Sequence, residues 1–196
     1  MQLNDNTVMV TDATGLLGGA VVRMLIARGG VSIWAFARDR RKTNMFAQDT
    51  IQVCLGDITD REAVRRATTG CNVVIHSVMA TGGGDTRQIN VEGTRNVIDA
   101  AVQAGVDRLV HVSSVAVYHP VTEGVVDEDH PKEPDGPSTS YHTTKLDSEI
   151  LALDYAHEKG LSVVVLQPVA VYGPRRRFLV GWRARAPARS HHPPGG

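Results

Sequence analysis

Thr7-Val8-Met9-Val10-Thr11-Asp12-Ala13-Thr14-Gly15-Leu16-Leu17-Gly18 decides how the chain is read. A short β-branched and apolar run passes into a turn, and an apolar helical pattern, Leu16–Arg28, opens on its far side. At such a turn the first backbone N–H groups of the helix lack partners and carry the positive end of its dipole. A pyrophosphate suits that position. Gly15 allows close approach of a phosphate, and Gly18 lets the helix pack tightly on the strand.

The same alternation repeats along the chain. Strands are expected at Thr7–Thr11, Val31–Ala37, Ile51–Leu55, Val73–His76, Arg108–Val112 and Ser162–Leu166. They are apolar almost throughout, the pattern of parallel strands covered on both faces. Helices are expected at Leu16–Arg28, Arg61–Thr68, Arg87–Gln103 and Ser138–Lys159, with Gly29, Gly70, Gly105 and Gly160 standing where C-cap glycines end helices. The expected fold class is α/β, a doubly wound parallel sheet.

The 196 residues suffice for one domain. Net charge is zero, with 21 bases against 21 acids, which argues against a generally basic nucleic-acid binder. That balance hides a split. Arg175, Arg176, Arg177, Arg183, Arg185 and Arg189 fall in the last 22 residues with no acid among them, leaving an acidic body. Residues 1–174 read as the folded domain and 175–196 as a basic, disordered tail. Pro120–Pro137 reads as a long acidic loop at the mouth of the sheet. Two cysteines, Cys54 and Cys71, are too few for a disulfide or zinc framework. The polar, acidic start and the lack of a long apolar run point to a cytoplasmic protein without a membrane segment.

After the second strand comes Arg38-Asp39-Arg40-Arg41-Lys42. An acid at that place binds a ribose 2′-hydroxyl and an arginine accommodates a 2′-phosphate, so Arg38, with Arg41 near it, favours NADP over NAD. A solvated charge run is the other reading. Gly56-Asp57 follows the third strand. Asp57 either faces a ligand or caps the next helix, a place for which Thr59 and Asp60 compete. His76 is expected to be packed in a loop, without the companions of a metal ligand, and no metal site is expected. Gly82-Gly83-Gly84 lacks the lysine of a phosphate loop and reads as a flexible loop near the cofactor.

Ser113-Ser114 closes the fifth strand, so Ser114 is expected at the carboxyl edge of the sheet. Tyr141 and Lys145, at i and i+4, share a helix face, and Pro137-Ser138 marks the helix start. That start lies at the ligand-binding end of the sheet. Tyr155 and Lys159 repeat the spacing, but Tyr155 is 14 residues on, roughly 21 Å away at 1.5 Å per residue. They are the decoy pair.

These motifs together resemble the extended short-chain dehydrogenase/reductases, the NAD-dependent epimerase/dehydratase branch. Its turn fingerprint is Thr-Gly-x-x-Gly-x-x-Gly, and here Asp12 replaces the first glycine. Asp tolerates a positive φ, but its carboxylate beside a diphosphate is repelled by ~1 kcal/mol at 4 Å in water and more near a protein surface. Asn90-Val91-Glu92-Gly93-Thr94-Arg95-Asn96 is similar to the family's Asn-x-x-Gly-Thr-x-Asn helix. Ser113–Tyr118 is similar to Ser-Ser-x-x-Val-Tyr-Gly, with His119 for the glycine. Gln167-Pro168 through Tyr172-Gly173-Pro174 is similar to Arg-Pro-x-x-Val-Tyr-Gly-Pro, with Gln167 for the arginine.

The resemblance implies an NAD(P)-binding Rossmann fold and a small-molecule substrate such as a nucleotide sugar, and it leaves a homodimer open. It implies cofactor contacts at Thr11, Gly15, Leu16, Leu17, Gly18, Arg38, Asp57, Ile58 and Pro168, shared with Tyr141 and Lys145. It implies catalysis by Ser114, Tyr141, Lys145 and Asn90. A free tyrosine, with a pKa of ~10, is a poor base, but an ammonium beside it favours the phenolate. In that family a further C-terminal region completes the substrate pocket. Here the motifs end at Pro174, which leaves a truncated or degenerate nucleotide-binding domain as the alternative.

Overall fold

The computed structural model describes residues 5–46, 51–81, 85–118, 125–132 and 140–172. The tail, the Gly82–Gly84 loop, Pro137-Ser138 and most of the acidic loop lie outside the described residues.

Six strands form one sheet: β1 Asn6–Val10, β2 Val31–Ala37, β3 Ile51–Leu55, β4 Val73–His76, β5 Arg108–Val112 and β6 Val163–Leu166. All pairs are parallel, in the order β3-β2-β1-β4-β5-β6. The connecting helices are α1 Leu16–Arg28, α2 Arg61–Thr68, α3 Gly93–Ala104 and α4 Tyr141–Glu158. This is the expected doubly wound α/β sheet.

Alternation along the strands sorts the core into two layers. Val8 and Val10 join Ile33, Ala35, Val22 and Leu25 beneath α1. Met9, Val74 and Leu109 join Val64, Ile98 and Ala152 beneath α2, α3 and α4. Burying each large aliphatic side chain contributes ~1.5–3 kcal/mol, so both layers are needed for a stable sheet. The edges depart from the expected two-sided cover. Val53 and Leu55 on β3, and Val164 and Leu166 on β6, are exposed.

Two helix starts also differ from the sequence expectation. Helix α4 begins at Tyr141, not Ser138, because Ser140 is extended and its Oγ accepts the Thr143 N–H at 3.2 Å. The expected helix Arg87–Gln103 passes through a π turn, Gln88–Glu92, before α3. There the Thr94 hydroxyl donates to the Asn90 carbonyl at 2.6 Å, engaging an oxygen of the main-chain ladder.

Candidate functional site

The order in which successive strands are laid down reverses between β1 and β4, and open parallel sheets bind ligands at that switch point. A groove of about 510 Å³ lies there. Its walls come from Asp12, Thr14 and Gly15 after β1, from Phe36 and Ala37 at the end of β2 with Arg38, Asp39 and Lys42 beyond it, and from Asp57 and Ile58 after β3. Val78–Thr81 after β4 and Ile89 close it.

Gly15 is the N-cap of α1 and supplies no side-chain cap, so the helix start faces the groove with backbone groups. Gly18 is buried, and a Cβ there would lie 2.3 Å from the Asp12 carbonyl oxygen. Only glycine allows this approach. Leu16 and Leu17 open α1 at half-buried positions.

Arg38 reaches Asp57 at 3.9 Å, with both side chains substantially exposed, so the pair holds Arg38 only lightly. Asp39 is occupied by Arg41, whose backbone N–H and guanidinium both donate to it. Arg41 is thus engaged with Asp39 and is not among the lining residues of the groove, whereas Lys42 is. The Arg38–Lys42 charge run contained that residue, but the 3-10 turn Arg40–Phe46 that brings it round has no sequence signal of comparable strength. Asp57 is not the helix cap. Asp60 caps α2 by accepting from Glu62 and Ala63 N–H. Burial acts to raise the Asp57 pKa, but hydrogen bonds from Thr59 and the Arg38 charge outweigh it and hold the carboxyl below its ordinary range.

Thr11 does not line the groove. Its Oγ1 is 3.0 Å from His76 Nδ1 and accepts the Ser77 N–H at 3.0 Å, so it ties β1 to β4 behind the site. His76 closes β4 and is buried between the hydroxyls of Thr11 and Thr94; it belongs to a strand, not a loop. The Pro168 carbonyl accepts the Val115 N–H at 3.2 Å and braces the segment after Ser114.

Tyr141 is the first residue of α4, and its hydroxyl donates to Met79 Sδ at 3.3 Å, at the groove rim. Asn90 is buried in the π turn. Its amide donates to the Ala80 carbonyl at 2.9 Å and to Thr144 Oγ1 at 3.0 Å, and its Oδ1 accepts the Ala80 N–H at 2.8 Å. Asn90 therefore joins the groove rim to α4 through Thr144, which lies between Tyr141 and Lys145 and has no sequence signal of its own. Ser114 is buried at the end of β5, and its Oγ accepts the Ala116 N–H at 3.2 Å.

Lys145 departs from the expected pairing. Its Nζ donates to the Val112 carbonyl at 2.8 Å instead of to Tyr141. Burial lowers its pKa to about 8, against an opposing pull from Glu149. Tyr155 lies in the last turns of α4 and donates to Asp99 Oδ1 at 2.6 Å.

Comparison with known proteins agrees with this geometry. Residues 8–189 match the NAD dependent epimerase/dehydratase family, and the chain belongs to that family. The match runs beyond Pro174, where the motif-by-motif resemblance ends. The chain is 36% identical over 184 residues to "Sterol demethylase protein B" of Methylococcus capsulatus, covering 89% of this chain and 55% of that protein. It is 34% identical over 171 residues to a 4-hydroxy-2-methyl-3-oxo-4-farnesyl-3,4-dihydroquinoline-1-oxide ketoreductase of Stigmatella aurantiaca, covering 84% and 50%. A dTDP-glucose 4,6-dehydratase from Streptomyces venezuelae, solved with NAD bound, superposes with a TM-score of 0.77 at 28% identity, covering 86% and 57%. The chain thus spans about half the length of the relatives it matches. Among the described residues, no helix is long and apolar enough to cross a membrane.

Proposed function

We propose that the chain carries the cofactor site and the acid–base residues of an NAD(P)-dependent oxidoreductase, epimerase or dehydratase. Its substrate is a small molecule bearing a hydroxyl or carbonyl, such as a nucleotide sugar. One observation carries the reading: the Tyr141 hydroxyl meets Met79 on the rim of the groove at the switch point.

The lining of the groove suits the diphosphate and adenosine parts of a dinucleotide, except at Asp12. Gly15 and the start of α1 would hold the diphosphate, Asp57 and Ile58 the adenine end, and Arg38 with Lys42 a 2′-phosphate. Asp39, the acid that could serve a 2′-hydroxyl, is already engaged by Arg41, which favours NADP. A bound nicotinamide would supply the hydride chemistry.

The chain's own residues move the proton. Tyr141, at the positive end of α4, takes it from a substrate hydroxyl or returns it to a carbonyl. Lys145, with a pKa near 8, is mostly cationic at neutral pH and holds that charge at the Val112 carbonyl, one turn along α4 from Tyr141. Ser114 Oγ already accepts from Ala116, so its own proton is what it offers a substrate oxygen. Asn90 positions α4 against the rim. Asp12 supports a second reading, a nucleotide-binding domain without turnover.

Turnover of a panel of nucleotide sugars and ketones by the intact chain tests the assignment. Tyr141→Phe is expected to lower kcat by at least ~10²-fold while Tyr155→Phe leaves it within about twofold. Equal effects of the two substitutions would refute it, and no turnover from any substrate would favour the second reading.

A further inference from the structure

Asp12 adopts a left-handed backbone conformation, φ 49°, at the end of β1. The turn folds its carboxylate back over the start of α1: a Cβ on Gly15 would lie 1.9 Å from Asp12 Oδ2 and 2.6 Å from its Cγ. Gly15 is the N-cap of α1, the place where an anion accepts backbone N–H groups. A carboxylate of the chain itself therefore stands over the seat that a phosphate would take. The charged groups sharing that groove are Arg38, Lys42, Asp39 and Asp57. Arg41 occupies Asp39, while Thr59 and Arg38 engage Asp57, so neither acid approaches the helix start as Asp12 does.

We propose that Asp12 is a proton-operated stop in the anion seat of α1, so that the groove takes up a proton when it takes a dinucleotide. This rests on the dinucleotide reading of the groove given above. Burial pushes the Asp12 pKa up to about 6, with Arg38 and Lys42 pulling against it. A diphosphate beside it adds like charge and draws some of those cations to itself, and both effects favour the protonated acid. Neutral Asp12 no longer repels the ligand. By linkage, affinity falls as pH rises above about 6, with a limit of about tenfold per pH unit for one proton.

Calorimetric titration with NAD⁺, whose diphosphate does not titrate in this range, tests the proposal. It is run at pH 5.5, 7 and 8 in buffers of differing ionisation enthalpy, on the intact chain and on Asp12→Asn and Asp12→Gly. The intact chain should lose affinity from pH 5.5 to 8 and take up a large fraction of one proton at pH 7. Both variants should bind more tightly at pH 8, with little pH dependence and little proton uptake. Binding by the intact chain that is as flat with pH as that of Asp12→Asn overturns the stop and leaves the dinucleotide site standing. Absence of binding in all three proteins at every pH overturns both.

Discussion

His76 and His111 lie side by side at the ends of β4 and β5, ring centroids 5.5 Å apart and tilted by 34°. Both are buried. His76 sits between two threonine hydroxyls, whereas neither ring nitrogen of His111 has a hydrogen-bond partner among the described residues. Burial, aided by the Lys145 charge, lowers the pKa of His76 to about 3 and that of His111 well below 6.5.

Both rings therefore stay neutral in the fold and pick up protons on unfolding. Stability is present above about 6.5 and drains away as pH falls toward the folded-state value, by ~2 kcal/mol for His76 between pH 7 and 5. His111→Leu removes a second acid-sensitive group and an unpaired buried polar ring. Denaturant melts at both pH values should show a smaller loss on acidification for His111→Leu than for the unsubstituted chain. An equal loss in the two proteins would show that His111 is not held neutral.

Glu149 is buried on α4, where Lys132 Nζ donates to it at 2.7 Å and Gln167 Nε2 at 2.9 and 3.0 Å. Of these two partners Lys132 alone is charged, and Lys145, one turn back on α4, acts on Glu149 only through its field. Lys132→Met should destabilise the fold by ~1–3 kcal/mol, because it leaves a buried carboxylate facing an amide. Adding Gln167→Arg places a guanidinium at the same oxygens and should recover much of that loss. Thermal melts of the single and double variants decide it: no destabilisation by Lys132→Met, or no recovery in the double variant, contradicts the charge argument.

Much of this architecture was legible because it is local. The limits of β2, β3, β4, β5, α1 and α2 coincide with apolar runs punctuated by glycine, turn residues or an Asp cap. The groove residues Gly15, Arg38 and Asp57 were legible too, since the carboxyl ends of parallel strands must share one edge, and Ile58 came only with the family resemblance. Side-chain partnerships were less so. Lys145 donates to Val112, 33 residues away, and Lys132 reaches Glu149 from a loop, with no periodicity to announce either contact. Thr11 and His76 both sit at strand ends, and only the register of β1 on β4 turns them toward each other instead of toward a ligand. The exposed faces of β3 and β6 were hidden for the same reason: an apolar run does not reveal whether its strand is an edge.

The most direct test of the account is calorimetric titration of the intact chain and of Arg38→Ala with NADP⁺ and NAD⁺ at one pH and salt concentration. The account predicts saturable binding of one dinucleotide per chain, with NADP⁺ preferred. Arg38→Ala should weaken NADP⁺ by ~10–100-fold, the range of a lost charge-assisted contact, and barely change NAD⁺. An NAD⁺ preference in the intact chain, or unchanged NADP⁺ affinity in Arg38→Ala, would contradict the assignment of Arg38. No saturable heat with either dinucleotide would contradict the central claim that this groove is a cofactor site.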